Sequence, residues 1–416
     1  MQKEFNYKFI FWVLLIAAAA IRLFAVAYYA DTNPATANLW EFGEQARNYI
    51  EHGNISFTYE NVRVPSANTP PGIVVALIVL FKLFGISSLA LKSMLAINFL
   101  FSLLIVYFTY RLALLLTKNL NVSLLSLFLV SFYPSFVYVG ATYHSFNVAV
   151  GLFLLAIYLA LSFFENNKTV YLILLGLTCG LMILFRGNFI VYALLLSAFL
   201  FFYSKPIKKI VIVLLIAMAV ISPWVIRNYL TFDQVIIGAN TLGFNLWRGH
   251  NDQCSGSGET DKLRKPDLSL NQKMAALPKD SLYESRRDKV MLNHALQYIK
   301  DNPVKELNMI GKKLMLFWVW EFYDTEFTHS LIYLVPHFLT LTLFVFGFIL
   351  AYFSMNRVYW QLLAWIFVLQ SIEIVIFFVL IRYRMTIEPL IFIFSAIAFE
   401  SLWRKLFKQE QMSIGN

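Results

Sequence analysis

Apolar runs of about twenty residues recur from one end of this chain to the other, and very few folds accommodate them. In hydrocarbon a segment must satisfy its own backbone polar groups, so such runs cross a bilayer as helices. They fall at Phe9–Ala30, Leu91–Tyr110, Leu120–Gly140, Phe146–Phe164, Tyr171–Phe185, Phe189–Tyr203 and Ile210–Val225. After a long hydrophilic stretch they resume at Leu331–Phe353, Tyr359–Leu380 and Ile387–Trp403. None alternates apolar with polar, which excludes barrel strands. Charged residues are 14% of the chain, against roughly 25% in soluble domains. The expected fold is an all-α polytopic membrane protein, a bundle of about 10–12 transmembrane helices. The first run is too long for a signal-peptide core and lacks a clear cleavage site, so it reads as a retained span.

The formal net charge of +10 does not imply nucleic acid, because Lys and Arg concentrate in short loops and in the hydrophilic stretch. Arg111 with Lys118, Lys205 with Lys208 and Lys209, and Arg404 with Lys405 and Lys408 mark cytoplasmic loops. Counting helices from these marks puts Tyr143–His144, Arg186, the stretch from Arg227 to about Gly311, and Arg382–Arg384 on the opposite face. For the loop at 30–72 to join them, Ile73–Phe84 must be re-entrant or interfacial, as its short length allows.

The organisation expected is a transmembrane module at 1–226 containing the first external loop, an extracytoplasmic piece at 227–330, and C-terminal helices with a short cytoplasmic tail at 331–416. Within the middle piece, glycines at 238, 243, 249, 256 and 258 read as loop. Ser281–Lys300 and Pro303–Phe322 read as amphipathic helices. Cys179 and Cys254 do not pair in this pattern. Nucleotide-binding and metal-site motifs are absent, and the spacing of Glu259, Asp261 and Asp267 is unspecific, so no cofactor or metal is assigned.

The loop at 30–72 concentrates chemistry. Glu41, Glu44 and Glu51 fall within eleven positions of a chain that has only 24 acidic residues. Glu41 and Glu44 are three apart and share a helix face, an arrangement suited to a general base and equally to a solvated loop helix. Asp31 is a third candidate. Arg22, two-thirds along the first span, either serves a buried partner or snorkels to the interface. His144 sits at a helix start, facing water or facing the Glu41 loop. Arg186, Arg227 beside Asn228, and Arg382 with Arg384 all lie at helix ends on the outer side, against the positive-inside bias. Singly each reads as an anchor; together their guanidinium forks fit a phosphate-bearing ligand.

The run Trp40–Asn48 with Gly53, then Thr69-Pro-Pro-Gly72 and Phe81–Gly85, resembles the first external loop of GT-C-type membrane glycosyltransferases. The resemblance is to bacterial relatives of protein O-mannosyltransferases and lipid A aminoarabinose transferases. It continues at Gly176–Arg186, Ser222–Tyr229, Gly243–His250 and Arg382–Pro389, in the family's order. It implies transfer of a sugar from a polyprenyl-phosphate donor to a protein, lipid or glycan acceptor, usually with inversion, at the extracytoplasmic face of a bacterial cell membrane. Where the family carries its acidic pair, this chain has Asn38 and Leu39, so the base role passes to Glu41, then Glu44. His144, Arg186, Arg227, Asn228, Arg382 and Arg384 are the expected substrate-binding residues. The alternative is a flippase of lipid-linked sugars, which needs the arginines but no carboxylate in the first loop.

Overall fold

A computed structural model describes residues 2–204, 207–258, 267–321 and 330–413. Lys205, Glu259, Asp261 and Phe322 lie outside them. Among the described residues, six helices are long and apolar enough to cross a membrane. They are α1 (Gln2–Tyr29), α4 (Ser88–Thr117), α7 (Phe146–Asn166), α10 (Ile207–Phe232), α15 (Leu331–Ser354) and α16 (Arg357–Ile376). Shorter apolar helices are α3 (Pro71–Phe84), α5 (Leu120–Phe132), α8 (Thr169–Phe185) and α9 (Ile190–Ser204), and α18 (Glu388–Ser413) closes the bundle. The loops add α2 (Trp40–His52), α6 (Pro134–Val139), α11 (Leu242–Gly249), α12 (Leu268–Ala275), α13 (Tyr283–Asp301), α14 (Pro303–Trp318) and α17 (Ile381–Arg384). One antiparallel hairpin, β1 (Ser56–Tyr59) and β2 (Val62–Pro65), follows α2.

Helix α7 is the axis of the bundle, buried along nearly its whole length and packed on α4 and α8. Helix α8 in turn packs on α10, and two small residues set their separation. A Cβ on Gly176 would stand 2.8 Å from the Cβ of Ile216, and one on Gly180 would stand 2.5 Å from that of Val220. Glycine at i and i+4 lets the two backbones approach. At the periphery, α1 turns Phe9, Trp12, Ile16 and Phe24 outward, as a helix facing hydrocarbon does.

The run at 120–140 is not one helix. Pro134 has no N–H to give the Val130 carbonyl, and it pushes Tyr133 to an extended conformation (φ −68°, ψ 123°). The freed carbonyl is not left bare. Arg22, fully buried, donates to Val130 O at 3.1 Å and to Ser131 O at 2.8 Å, and its Nε reaches Ser102 Oγ at 2.6 Å. Of the two roles open to Arg22, the structure takes the buried partner, and the arginine fastens α1 to α4 and α5.

Two further elements depart from the sequence reading. The glycine-punctuated stretch forms α11, because Asp288 on α13 accepts from Gly243 N and Phe244 N, both at 2.9 Å, and so caps α11 from another element. The run at 359–380 stops being helical at Ile376. Val379 instead pairs in extended form with the 256–258 segment: its N–H donates to Gly256 O at 2.9 Å, and its carbonyl accepts from Gly258 N at 2.8 Å.

The two ends of the bundle differ chemically. At one, Lys118 pairs with Glu165 at 2.9 Å and Lys209 donates to Asn167 at 2.8 Å. At the other, about 30 Å away along α7, lie the loops bearing His144, Arg186 and Arg382.

Candidate active site

The site begins with how the chain builds its rim. Helix α2 starts in strain: Trp40 has φ +47°, a left-handed conformation that bulky residues avoid, and its N–H donates to Asn38 Oδ1 at 3.1 Å. The Pro-Pro-Gly entry to α3 is explained by close approach, since a Cβ on Gly72 would lie 2.8 Å from the Phe185 ring at the end of α8. The hairpin is clamped by two residues. Glu284 on α13, buried, accepts from Tyr59 Oη at 3.0 Å, Ser66 Oγ at 2.7 Å and Ala67 N at 2.8 Å. Burial pushes its carboxyl pKa up, against the pull of those donors. Arg227 in turn donates to Ser66 O at 2.8 Å and Ile55 O at 2.9 Å, stacked on Trp224 and Phe232.

Below this clamp opens a cavity of about 600 Å³. Its wall includes Phe42 of α2, His144, Arg186, Asn188, Glu373 of α16 and Arg382 of α17. Arg186 ends α8 and is caged by rings, 4.5 Å from the centroid of Phe146, 5.5 Å from Tyr383 and 6.0 Å from Phe189. Its Nε is buried without a hydrogen-bond partner among the described residues. Arg382 is exposed on the same wall, and neither arginine forms an ion pair among the described residues. Half-buried His144 packs its ring against Trp40 (5.2 Å), Phe42 (6.1 Å) and Phe146 (5.9 Å). Burial, then the charges of Arg382 and Arg186, hold its pKa well below the usual imidazole range, so it is neutral at physiological pH. Two guanidinium groups with donors to spare beside a neutral imidazole make an anion site.

The other expected residues go elsewhere. Arg384 is buried with Glu388 (3.1 Å), bonded to the Phe317 carbonyl at 3.0 Å and to Tyr333, and it does not line this cavity. Arg227 is spent on the clamp, and Asn228 beside it donates to Ile236 O at 2.9 Å. Glu44 accepts from Thr58 N at 2.8 Å and holds the hairpin to α2. Glu41 is exposed, between Trp40, which touches His144, and cavity-lining Phe42. Asp31 folds its own loop, accepting from Asn33 N at 2.8 Å and Thr36 Oγ1 at 2.6 Å, bonds that hold its carboxyl pKa low. No group of three metal-ligating side chains occurs among the described residues.

Sequence reasoning missed Glu373. It lies in the apolar run 359–380, where an ionisable residue is itself a signal.

Comparison with known proteins agrees with this architecture. Residues 68–226 match the family described as dolichyl-phosphate-mannose-protein mannosyltransferase. No curated protein matches the chain by sequence. Among solved structures, the archaeal oligosaccharyltransferase AglB from Archaeoglobus fulgidus, in complex with an inhibitory peptide and a dolichol-phosphate, aligns over 100% of this chain. That alignment has 15% identity and a TM-score of 0.57. The apo form of the Archaeoglobus fulgidus oligosaccharyltransferase aligns over 100% as well, at 12% identity and a TM-score of 0.55. In both cases this chain spans 52% of the other's length, about half. The chain is thus a polytopic membrane protein with the GT-C glycosyltransferase fold, and its residues 68–226 match the profile of the dolichyl-phosphate-mannose-protein mannosyltransferases.

Proposed function

We propose that this chain is a membrane glycosyltransferase that moves a sugar from a polyprenyl-phosphate donor to an acceptor at the extracytoplasmic face of a bacterial plasma membrane. The observation that carries the reading is the pair Arg186 and Arg382, two cations without ion-pair partners among the described residues, on the wall of one cavity. Arg186 is caged by rings with its Nε unpartnered among the described residues, which leaves guanidinium donors for an anionic ligand. The solved structures with this fold include one bound to a dolichol-phosphate, a ligand of the chemistry this site would take.

In the proposed reaction the acceptor hydroxyl or amine attacks the anomeric carbon from the face opposite the phosphate. Its proton passes to the Glu41 carboxylate. A new bond forms at that carbon, the bond to the phosphate oxygen breaks, and polyprenyl phosphate leaves with inverted configuration at the sugar. Phosphate departs readily, so it needs charge stabilisation rather than a proton, and Arg186 and Arg382 supply it. Neutral His144 adds a hydrogen-bonding group without adding charge. Holding donor and acceptor together lowers the entropic part of the barrier. The module at 1–226 would carry the base and Arg186, the piece at 227–330 would cover the cleft, and the helices at 331–416 would complete the phosphate site.

The test is transfer by purified protein in detergent, with radiolabelled undecaprenyl-phosphate sugar and a membrane extract as acceptor. Label moving to an acceptor with stoichiometric release of undecaprenyl phosphate is the expected result. Labelled lipid crossing liposomes with no transfer would replace this reading with transport.

A further inference from the structure

Resting on the donor reading above, we propose that Glu373 reads the donor's sugar and, by its charge, selects the donor over the spent lipid phosphate. Glu373 is the one carboxylate among the described residues that line the cavity. Its two described contacts both come from amide donors: Asn188 Nδ2 reaches Oε1 at 2.5 Å, and Gln370 Nε2 reaches Oε2 at 3.4 Å. Gln370 is itself oriented by Tyr192, whose hydroxyl donates to Gln370 Oε1 at 2.8 Å. With two amide donors on it, the Glu373 carboxylate, which has about four lone-pair sites, keeps about two of them for a ligand.

Glu373 makes no contact ion pair with the arginines, although the charges of Glu373 and Arg186 act on each other at longer range. Neither Arg186 nor Arg382 lies within 4.0 Å of an acidic oxygen among the described residues, although both share its cavity. A carboxylate that lines the same cavity as two guanidinium groups, without contacting them, has free acceptor sites for the hydroxyl groups of a sugar whose phosphate the guanidinium groups hold. The ligand class is therefore a glycosyl phosphodiester whose sugar offers donors, hydroxyl or ammonium, to Glu373.

The charges give the proposal a signature of opposite signs. Two guanidinium groups, one carboxylate and a neutral His144 leave the cavity with one net positive charge. A glycosyl phosphodiester carries one negative charge and balances it. The departing phosphate monoester carries between one and two negative charges near neutral pH, and Glu373 repels the excess.

Binding of undecaprenyl phosphate and of its glycosylated form is measured on the full chain in nanodiscs at pH 8, for wild type and Glu373→Gln. Wild type binds the glycosylated lipid more tightly than its sugarless phosphodiester analogue, and equal affinity overturns the proposal without any variant being needed. Glu373→Gln loses about tenfold or more for the glycosylated lipid and binds bare undecaprenyl phosphate as tightly as wild type or tighter. A parallel fall in both affinities makes Glu373 a wall-building residue and overturns the proposal alone. A wild type that binds neither lipid overturns the donor reading and this proposal with it.

Discussion

At the scale of single residues, two arginines of one chemical type do opposite work. Arg384 is locked to Glu388 in a buried pair, whereas Arg186 is held by rings and keeps donors unused. Arg384→Met leaves Glu388 buried and unpaired, which should cost about 3–5 kcal/mol and appear as a large drop in melting temperature in detergent. Arg186→Gln should leave melting nearly unchanged while weakening undecaprenyl phosphate binding by about tenfold to a hundredfold, read by titration. The sequence made both arginines visible as outward helix ends, but it could not separate them, because the partner of Arg384 is a carboxylate one helical turn on and the cage of Arg186 comes from three separate segments. Arg227 was legible as a site candidate for the same reason, and its true partners, two backbone carbonyls of the first loop, carry no sequence signature at all.

At the scale of elements, the first loop is positioned by contacts more than 150 residues distant in sequence. Glu284 and Arg227 both hold the end of the same hairpin at Ser66. Glu284→Ala leaves Ser66 and Ala67 without their acceptor, a loss of about 1–3 kcal/mol. It should loosen the hairpin, seen as faster hydrogen exchange at residues 56–67, before the rest of the bundle responds. A second joint lies where α16 ends. Lys313 of α14 donates to Val375 O at 3.0 Å and His250 Nε2 to Ile376 O at 2.7 Å, two donors on the carbonyls that a helix C-terminus leaves free. Burial lowers the Lys313 pKa from 10.5 to about 8. Between those two values the unfolded chain binds the proton and the folded one does not, so stability should rise with pH from about 8 towards 10.5 and be level below 8. Lys313→Met should abolish that slope in melting curves across the window. The helices α13 and α14 were legible from amphipathic spacing and the Asn302-Pro303 stop. Helix α11 was not, because its N-terminal cap is Asp288, a residue 45 positions away.

At the scale of the whole molecule, what was legible follows from the solvent. Hydrocarbon demands apolar helices, so their order and connecting loops stand in the sequence, whereas their number does not: of the about 10–12 spans expected, six helices among the described residues are long and apolar enough to cross. The cavity was not legible, because it is made where five connecting segments converge, and Glu373 reaches it from inside a run whose apolar neighbours mask it. In the proposed reaction this cavity and the α2 carboxylate Glu41 form one catalytic site, and the decisive experiment is the same transfer assay on Glu41→Gln. Turnover should fall by about 10²–10⁴ while undecaprenyl-phosphate sugar still binds with wild-type affinity. Full turnover in Glu41→Gln would contradict that reaction and remove the first loop from the chemistry.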